Sequence, residues 1–182
     1  MEKILLRLVK RIEGGSVLDI GAKDSPYRNL IKADRFITMD IAPENNPDIC
    51  CDVHDIKTAE NSFDVVIASE LLEHCHDPQK AVNEIYRVLV KNGICIASTR
   101  FIHRYHPDPK DYFRFTKDSL EMLFSRFSHL EIYGHGNKVQ TLWQILNTGW
   151  LKLFFTPFNR LIAQIEYEDP KFPLGFVIFA RK

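Results

Sequence analysis

The amino-acid sequence predicts an α/β fold, a doubly wound and mostly parallel sheet with helices on both faces, and three observations carry the prediction. Short apolar runs recur at 16–20 (SVLDI), 35–41 (RFITMDI), 63–68 (FDVVIA) and 93–98 (GICIAS), and the first two end at the loop signals Gly21 and Pro43. Stretches of helical period accompany them, and strands that alternate with helices build parallel sheets covered on both sides. An acidic residue, Asp40, ends the second run 21 positions after Asp19 in the first. That is the order in which a doubly wound sheet places the acid that takes ribose hydroxyls.

The chain opens with Ile4, Leu5, Leu8, Val9 and Ile12 at helical spacing, cations between them, and a stop at Gly14-Gly15. A helix is predicted over 78–91 (PQKAVNEIYRVLVK), where Pro78 suits a first turn because it has no N–H to leave unpaired. Residues 100–115 form a loop rich in His, Pro and charge, followed by a helix at about 116–127 with Thr116 at its start. Two more strands are predicted at 128–133 (SHLEIY) and 172–180 (FPLGFVIFA), with an apolar and aromatic segment, 139–165, between them.

A length of 182 residues suits one domain with a real core. Lys plus Arg and Asp plus Glu balance at 24 each, so there is no basic footprint and no nucleic-acid partner is predicted. The four cysteines, Cys50, Cys51, Cys75 and Cys95, form no CxxC pair, and no apolar stretch precedes a small-residue cleavage site. A cytoplasmic protein with reduced thiols is therefore expected. No apolar run reaches the roughly 18 residues of a transmembrane segment.

The segment VLDIGAKDSPY at 17–27 is a strand entering a glycine turn. A dinucleotide site wants G-x-G-x-x-G, so that the backbone can approach a pyrophosphate at a helix N-terminus. Counting from Gly21, the other two glycine positions hold Lys23 and Pro26, and Asp24 would repel the anion. NAD and FAD are disfavoured. A cationic nucleoside needs only a carboxylate at the strand end, a glycine turn and a ribose-binding acid, which Asp19, Gly21 and Asp40 supply. Each of these residues also has a plainer use, as a cap or an ordinary turn.

The ordered motifs LDIGAKDSPY, MDI, CDVHDI, FDVVIASELLEHCHDP and AVNEIYRVLVKNGICIAS resemble those of class I S-adenosylmethionine-dependent methyltransferases, in the small-molecule, type 11-like branch, over about residues 16–99. The resemblance implies a Rossmann-like seven-stranded sheet whose last strand is antiparallel, with S-adenosylmethionine as cofactor. It implies that Asp19, Gly21, Ala22 and Lys23 hold the methionyl end and that Asp40 binds the ribose, with Ile41 against adenine. Asp52 and Val53 fall at the adenine contact after the third strand, and Ser69 and Glu70 at the methionyl and transfer region after the fourth. Lys23 stands where the family commonly has a second glycine, and it either tolerates the turn or crowds the site. On this reading 1–182 is one domain, 1–99 its cofactor half and 100–182 its acceptor half, with 139–165 inserted.

Methyl transfer from a sulfonium mainly requires alignment and exclusion of water, and a histidine base would help a hydroxyl acceptor. His74, His103 and His106 are the candidates, the last two in FIHRYHPDPKDYFRFT, which resembles an acceptor-side loop of the family. Asp111, Arg114 and Thr116 can equally lock that loop through hydrogen bonds and a helix cap. Glu70, Glu73, His74 and His76 crowd together, but no third and fourth ligand stands at a recognised spacing, and no metal is assigned. The apolar segment, from Val139, Leu142, Trp143, Ile145 and Leu146 through Trp150 and Leu151 to Phe154, Phe155, Phe158 and Leu161, is expected to be core and pocket wall. A dimer face or a lipid contact are its alternatives. The partner expected is a small-molecule or sugar-type acceptor, and a homodimer is open. A catalytically idle domain that keeps the fold to hold a partner is the other reading.

Overall fold

The computed structural model describes residues 2–147, 152–165, 167, 169 and 171–182. Strands β1 (Ser16–Ile20), β2 (Arg35–Asp40), β3 (Ile49–Cys50), β4 (Phe63–Ser69), β5 (Leu89–Arg100), β6 (His129–His135) and β7 (Gly175–Arg181) form one sheet. Its order is β3-β2-β1-β4-β5-β7-β6. The pairs from β3 through β5 are parallel, and β7 runs antiparallel to both β5 and β6. The chain therefore winds outward in two directions from β1 and β4, and the crevice at such a switch point is where doubly wound sheets bind ligands.

The central strands are apolar on both faces because both faces are covered. Side chains alternate across a strand, so Val17, Val65, Ile67, Ile96 and Val177 meet Leu5, Val9 and Ile12 of the opening helix and its exit. That helix is α1 (Glu2–Val9). Their neighbours Leu18, Ile20, Val66, Ala68, Ala97 and Ile178 pack on the opposite side. There they meet α2 (Pro78–Val88) through Ala81, Val82, Ile85 and Val88, and α3 (Lys117–Leu123) through Leu120. Asp77 starts α2 by accepting from the Lys80 N–H at 3.0 Å, ahead of Pro78 in the first turn.

Several predicted boundaries move. The helix predicted to 91 ends at Val88, because Leu89 is already extended and pairs with Phe63 across a bulge that resumes at Val65 opposite Ile94. The helix predicted to 127 ends at Leu123, where the chain turns to bring Phe124 and Phe127 into the core. Between β1 and β2 the chain makes a 3₁₀ turn, Arg28–Leu30. Lys23 and Ser25 both take left-handed φ of 43°, and only residues 26–34 remain before β2.

The expectation of core and pocket wall for 139–165 is corrected. The segment contains α4 (Lys138–Leu146), α5 (Lys152–Phe155) and α6 (Asn159–Ala163). Val139, Leu142, Ile145, Leu153, Phe154, Phe158 and Leu161 are exposed. The inner side of α4 is occupied by polar groups that bond to the stretch 165–172, so its apolar stripe is turned away from the sheet. Gly149, Trp150 and Leu151 lie outside the described residues. No helix among the described residues is long and apolar enough to cross a membrane.

Candidate functional site

The carboxyl ends of β1, β2 and β4 open into a cleft of about 480 Å³, within the range of small-molecule sites. Gly21, Lys23, Asp40, Ile41, Asp52, Val53, Ser69 and Glu70 line it, together with His74 and, from the loop after β5, Asp108 and Pro109. Sequence positions spread over ninety residues thus converge on one crevice. Asp19 and Ala22 do not line it and lie buried below.

The turn after β1 is held from its neighbour strand. The N–H groups of Gly21 and Ala22 both donate to the Met39 carbonyl, at 2.8 and 3.2 Å. Gly21 has φ +68°, and a Cβ there would stand 3.2 Å from Leu71 Cδ1; a side chain would meet both a strained backbone and a packed neighbour. Lys23 takes the left-handed conformation that a glycine would adopt more cheaply, and its N–H donates to Asp40 Oδ2 at 3.1 Å. The turn is therefore made with Lys23 in place.

Asp40 is buried, and its other oxygen accepts from the Ala42 N–H at 2.9 Å. One carboxylate thus rivets two turns while bordering the cleft. Below it Asp19 is 2 % exposed and accepts from Ser25 Oγ at 2.8 Å. Burial pushes the Asp19 carboxyl up to about 6, against the opposing pull of that hydroxyl. Asp52 accepts from both the backbone and the ring Nδ1 of His54. Those bonds outweigh its desolvation and hold its carboxyl below the usual range.

The turn after β4 supplies the other wall. Ser69 Oγ lies 3.1 Å from both Tyr27 Oη and Ser98 Oγ. Glu70 has φ 52°, its N–H donates to Ser98 O at 2.9 Å, and Arg100 Nε donates to its Oε2 at 2.7 Å. Its second oxygen, Oε1, is buried without a hydrogen-bond partner. Such an atom costs free energy until something donates to it.

Glu73 was legible only as a member of a charged cluster, and its role differs. It is fully buried, accepts from Thr99 Oγ1 at 2.8 Å and from the Arg100 N–H at 3.3 Å, and its carbonyl accepts from the N–H groups of Tyr112 and Phe113. It pins the loop 101–115 to the end of β5. Burial raises its carboxyl pKa. The cluster of residues 70–76 accordingly separates, since His76 packs its ring 4.1 Å from His54 and His74 turns to Lys110.

The three candidate histidines are placed differently. His74 lines the cleft, and its Nδ1 stands 2.9 Å from the Lys110 carbonyl. A carbonyl only accepts, so Nδ1 carries the proton and Nε2 keeps its lone pair in the neutral ring. His106 and His103 lie outside the lining but continue from it, with ring centroids 5.0 Å apart from His74 to His106 and again from His106 to His103. His106 Nδ1 lies 3.0 Å from Asp111 Oδ2, and Arg114 forks onto both Asp111 oxygens. That fork holds the Asp111 carboxyl down to about 2. Burial lowers the His103 pKa.

Asp40, Asp52, Glu44, Glu70 and Asp108 border the cleft, and among the described residues Lys23 is its single Lys or Arg. This donor set favours a cation and would repel a pyrophosphate. With the unpartnered Glu70 oxygen it fits S-adenosylmethionine, whose sulfonium and ammonium are positive and which carries no phosphate.

Comparison with known proteins agrees. Residues 18–97, fewer than half of the chain, match the family described as "Methyltransferase domain". Among solved structures, a SAM-dependent methyltransferase from Archaeoglobus fulgidus superposes with TM-score 0.63 at 14% identity, covering 100% of this chain and 94% of that one. Phosphoethanolamine N-methyltransferase 2 of Haemonchus contortus, in complex with S-adenosyl-L-methionine, gives 0.66 at 15%, covering 98% and 52%. The cyclase SpnF gives 0.64 at 16%, covering 98% and 80%. No curated protein sequence matches the chain.

Proposed function

We propose that this chain transfers a methyl group from S-adenosylmethionine to a small-molecule or sugar-type acceptor held beneath the loop 101–115. The observation that carries the reading is a carboxylate-rich cleft at the β1/β4 switch point, bordered by that loop through Asp108 and Pro109. When bound, the cofactor supplies an electrophilic methyl on a sulfonium. Asp40 receives the ribose hydroxyls on lone pairs that Lys23 and Ala42 leave open, and Ile41 and Val53 flank the adenine with Asp52. Glu70 Oε1 receives the methionyl ammonium, and the buried Asp19 acts from below through the turn of Gly21, Ala22 and Lys23.

On the acceptor side, His74 is the base of choice among the three histidines. It borders the cleft, and the Lys110 carbonyl fixes the tautomer whose Nε2 can take a proton from an acceptor hydroxyl. His106 and His103 lie behind it as a path outward. The loop excludes water while alignment does most of the catalytic work.

Calorimetric titration with S-adenosylhomocysteine tests the cofactor reading. Wild type binds, and Asp40→Ala loses about 100-fold in affinity, as expected when charge-assisted hydrogen bonds worth roughly 3 kcal/mol disappear. Wild-type silence sinks the proposal.

A further inference from the structure

Helix α4 is built the wrong way round for a helix that meets water. Three of its polar residues, Asn137, Gln140 and Thr141, turn inward, while Lys138 is exposed. Asn137 at its cap is buried and donates through Nδ2 to the carbonyls of Ile165 and Tyr167 at 3.1 and 3.0 Å. Gln140 Nε2 donates to Ile165 O, and Thr141 Oγ1 to Phe172 O, each at 3.1 Å. Val139, Leu142 and Ile145 follow one another at three-residue steps along the outer side, all exposed, while Trp143 and Leu146 are half-buried. An amphipathic helix of a water-soluble domain does the reverse. Helices α5 and α6 extend the surface, where Leu153 is 82% and Leu161 61% exposed. Trp143 ties α4 to them by donating from Nε1 to Asn159 Oδ1 at 2.8 Å.

The charge pattern selects what covers this surface. Residues 132–165 contain no Asp or Glu, while Lys138, Lys152 and Arg160 supply only positive charge, and carboxylates resume at Glu166. Apolar and aromatic side chains with cations alone are the composition of helices that lie in the headgroup layer of anionic lipid. A second copy would bring like charges together, because a two-fold interface apposes the same patch to itself.

The topology places the surface beside the cleft. β5 and β6 both run antiparallel to β7 and so are parallel to each other. The segment that follows His135 therefore leaves from the same edge of the sheet as Arg100 and the cleft. Three inter-strand steps separate β4 from β6, roughly 15 Å.

We propose that the outward apolar face of α4–α6 docks the chain on an anionic phospholipid surface. The docking is independent of the methyltransferase reading and is tested without turnover. The full chain is floated with phosphatidylcholine vesicles prepared with or without phosphatidylserine. Binding to the phosphatidylserine vesicles is expected, with little to phosphatidylcholine alone. The double variant Leu153→Glu with Leu161→Glu, both outside the cleft, lowers the bound fraction at least about tenfold, and Arg160→Glu lowers it roughly fivefold. Both variants retain the wild-type circular dichroism and thermal melt. Absence of wild-type flotation with either vesicle overturns the proposal, as does equal binding to both. A lipid-free dimer that Leu153→Glu with Leu161→Glu dissociates assigns the face to a second copy and overturns it as well.

Discussion

Val65, Val66, Ile67 and Ala68 on β4 and Val139, Leu142 and Ile145 on α4 are residues of one kind put to opposite uses. On β4 the backbone polar groups are satisfied by β1 and β5, so both faces of the strand can be covered by apolar packing. On α4 it is the side-chain polar groups that find partners inside, at the carbonyls of Ile165, Tyr167 and Phe172, and the apolar residues are left outside. Hydrophobicity alone does not decide burial. What decides it is which groups of an element find partners on the inner side, since an unpaired buried polar group costs more than an exposed leucine.

A matched pair of substitutions would break this contrast if it were false. Ile67→Asp puts a carboxylate at a fully buried position of β4 and is expected to remove more than about 4 kcal/mol of stability, leaving no folded protein. Glu73→Ala comes next. It strands the Thr99 hydroxyl and loosens the hold on β5, so urea unfolding should show a loss of about 2–3 kcal/mol.

The two halves also carry pH dependences of opposite sign. The Asp19 pKa is raised from its unfolded value of 3.8 to about 6, so the folded protein binds the proton more tightly. Stability is greatest below pH 3.8 on this account and falls as pH rises through about 6, by up to roughly 3 kcal/mol. Burial lowers the His135 pKa from 6.5 to about 3; its contribution is present above pH 6.5 and is lost as pH falls toward 3. Asp19→Asn should therefore remove the loss on raising pH from 3.8 through about 6, and His135→Gln the loss on lowering pH from 6.5 toward 3, in urea midpoints followed across pH. The smallest effect is the second member of the matched pair. Leu142→Asp, at an exposed site, should change stability by no more than about 0.5 kcal/mol.

The same contrast explains what the sequence made legible. The strands of the first half were readable because an apolar run of five or six residues bounded by Gly21 or Pro43 has few other uses, and the ligand positions follow from where such strands end. Asp40 could be placed on that basis, while Asp52 and Glu70 followed from the family resemblance. Glu73 was not readable, because its meaning comes from Thr99, Arg100 and the 112–113 backbone, contacts that no spacing encodes. The 139–165 segment misled for a related reason, since its apolar period is that of a core helix, and only the partners of Asn137, Gln140 and Thr141 reveal which side faces in. The turn after β1 shows the converse. Lys23 and Ser25 lack the freedom of glycine, yet both take left-handed φ, held by bonds to Asp40 and Asp19.

Asp19 has a consequence beyond stability. A carboxyl whose pKa stands at about 6 is partly protonated near neutral pH, and a cation arriving in the turn above it favours the ionised form. Ligand capture is then also an acid-releasing reaction. The heat of binding measured near pH 6 should vary with the ionisation enthalpy of the buffer, and in Asp19→Asn that variation should vanish.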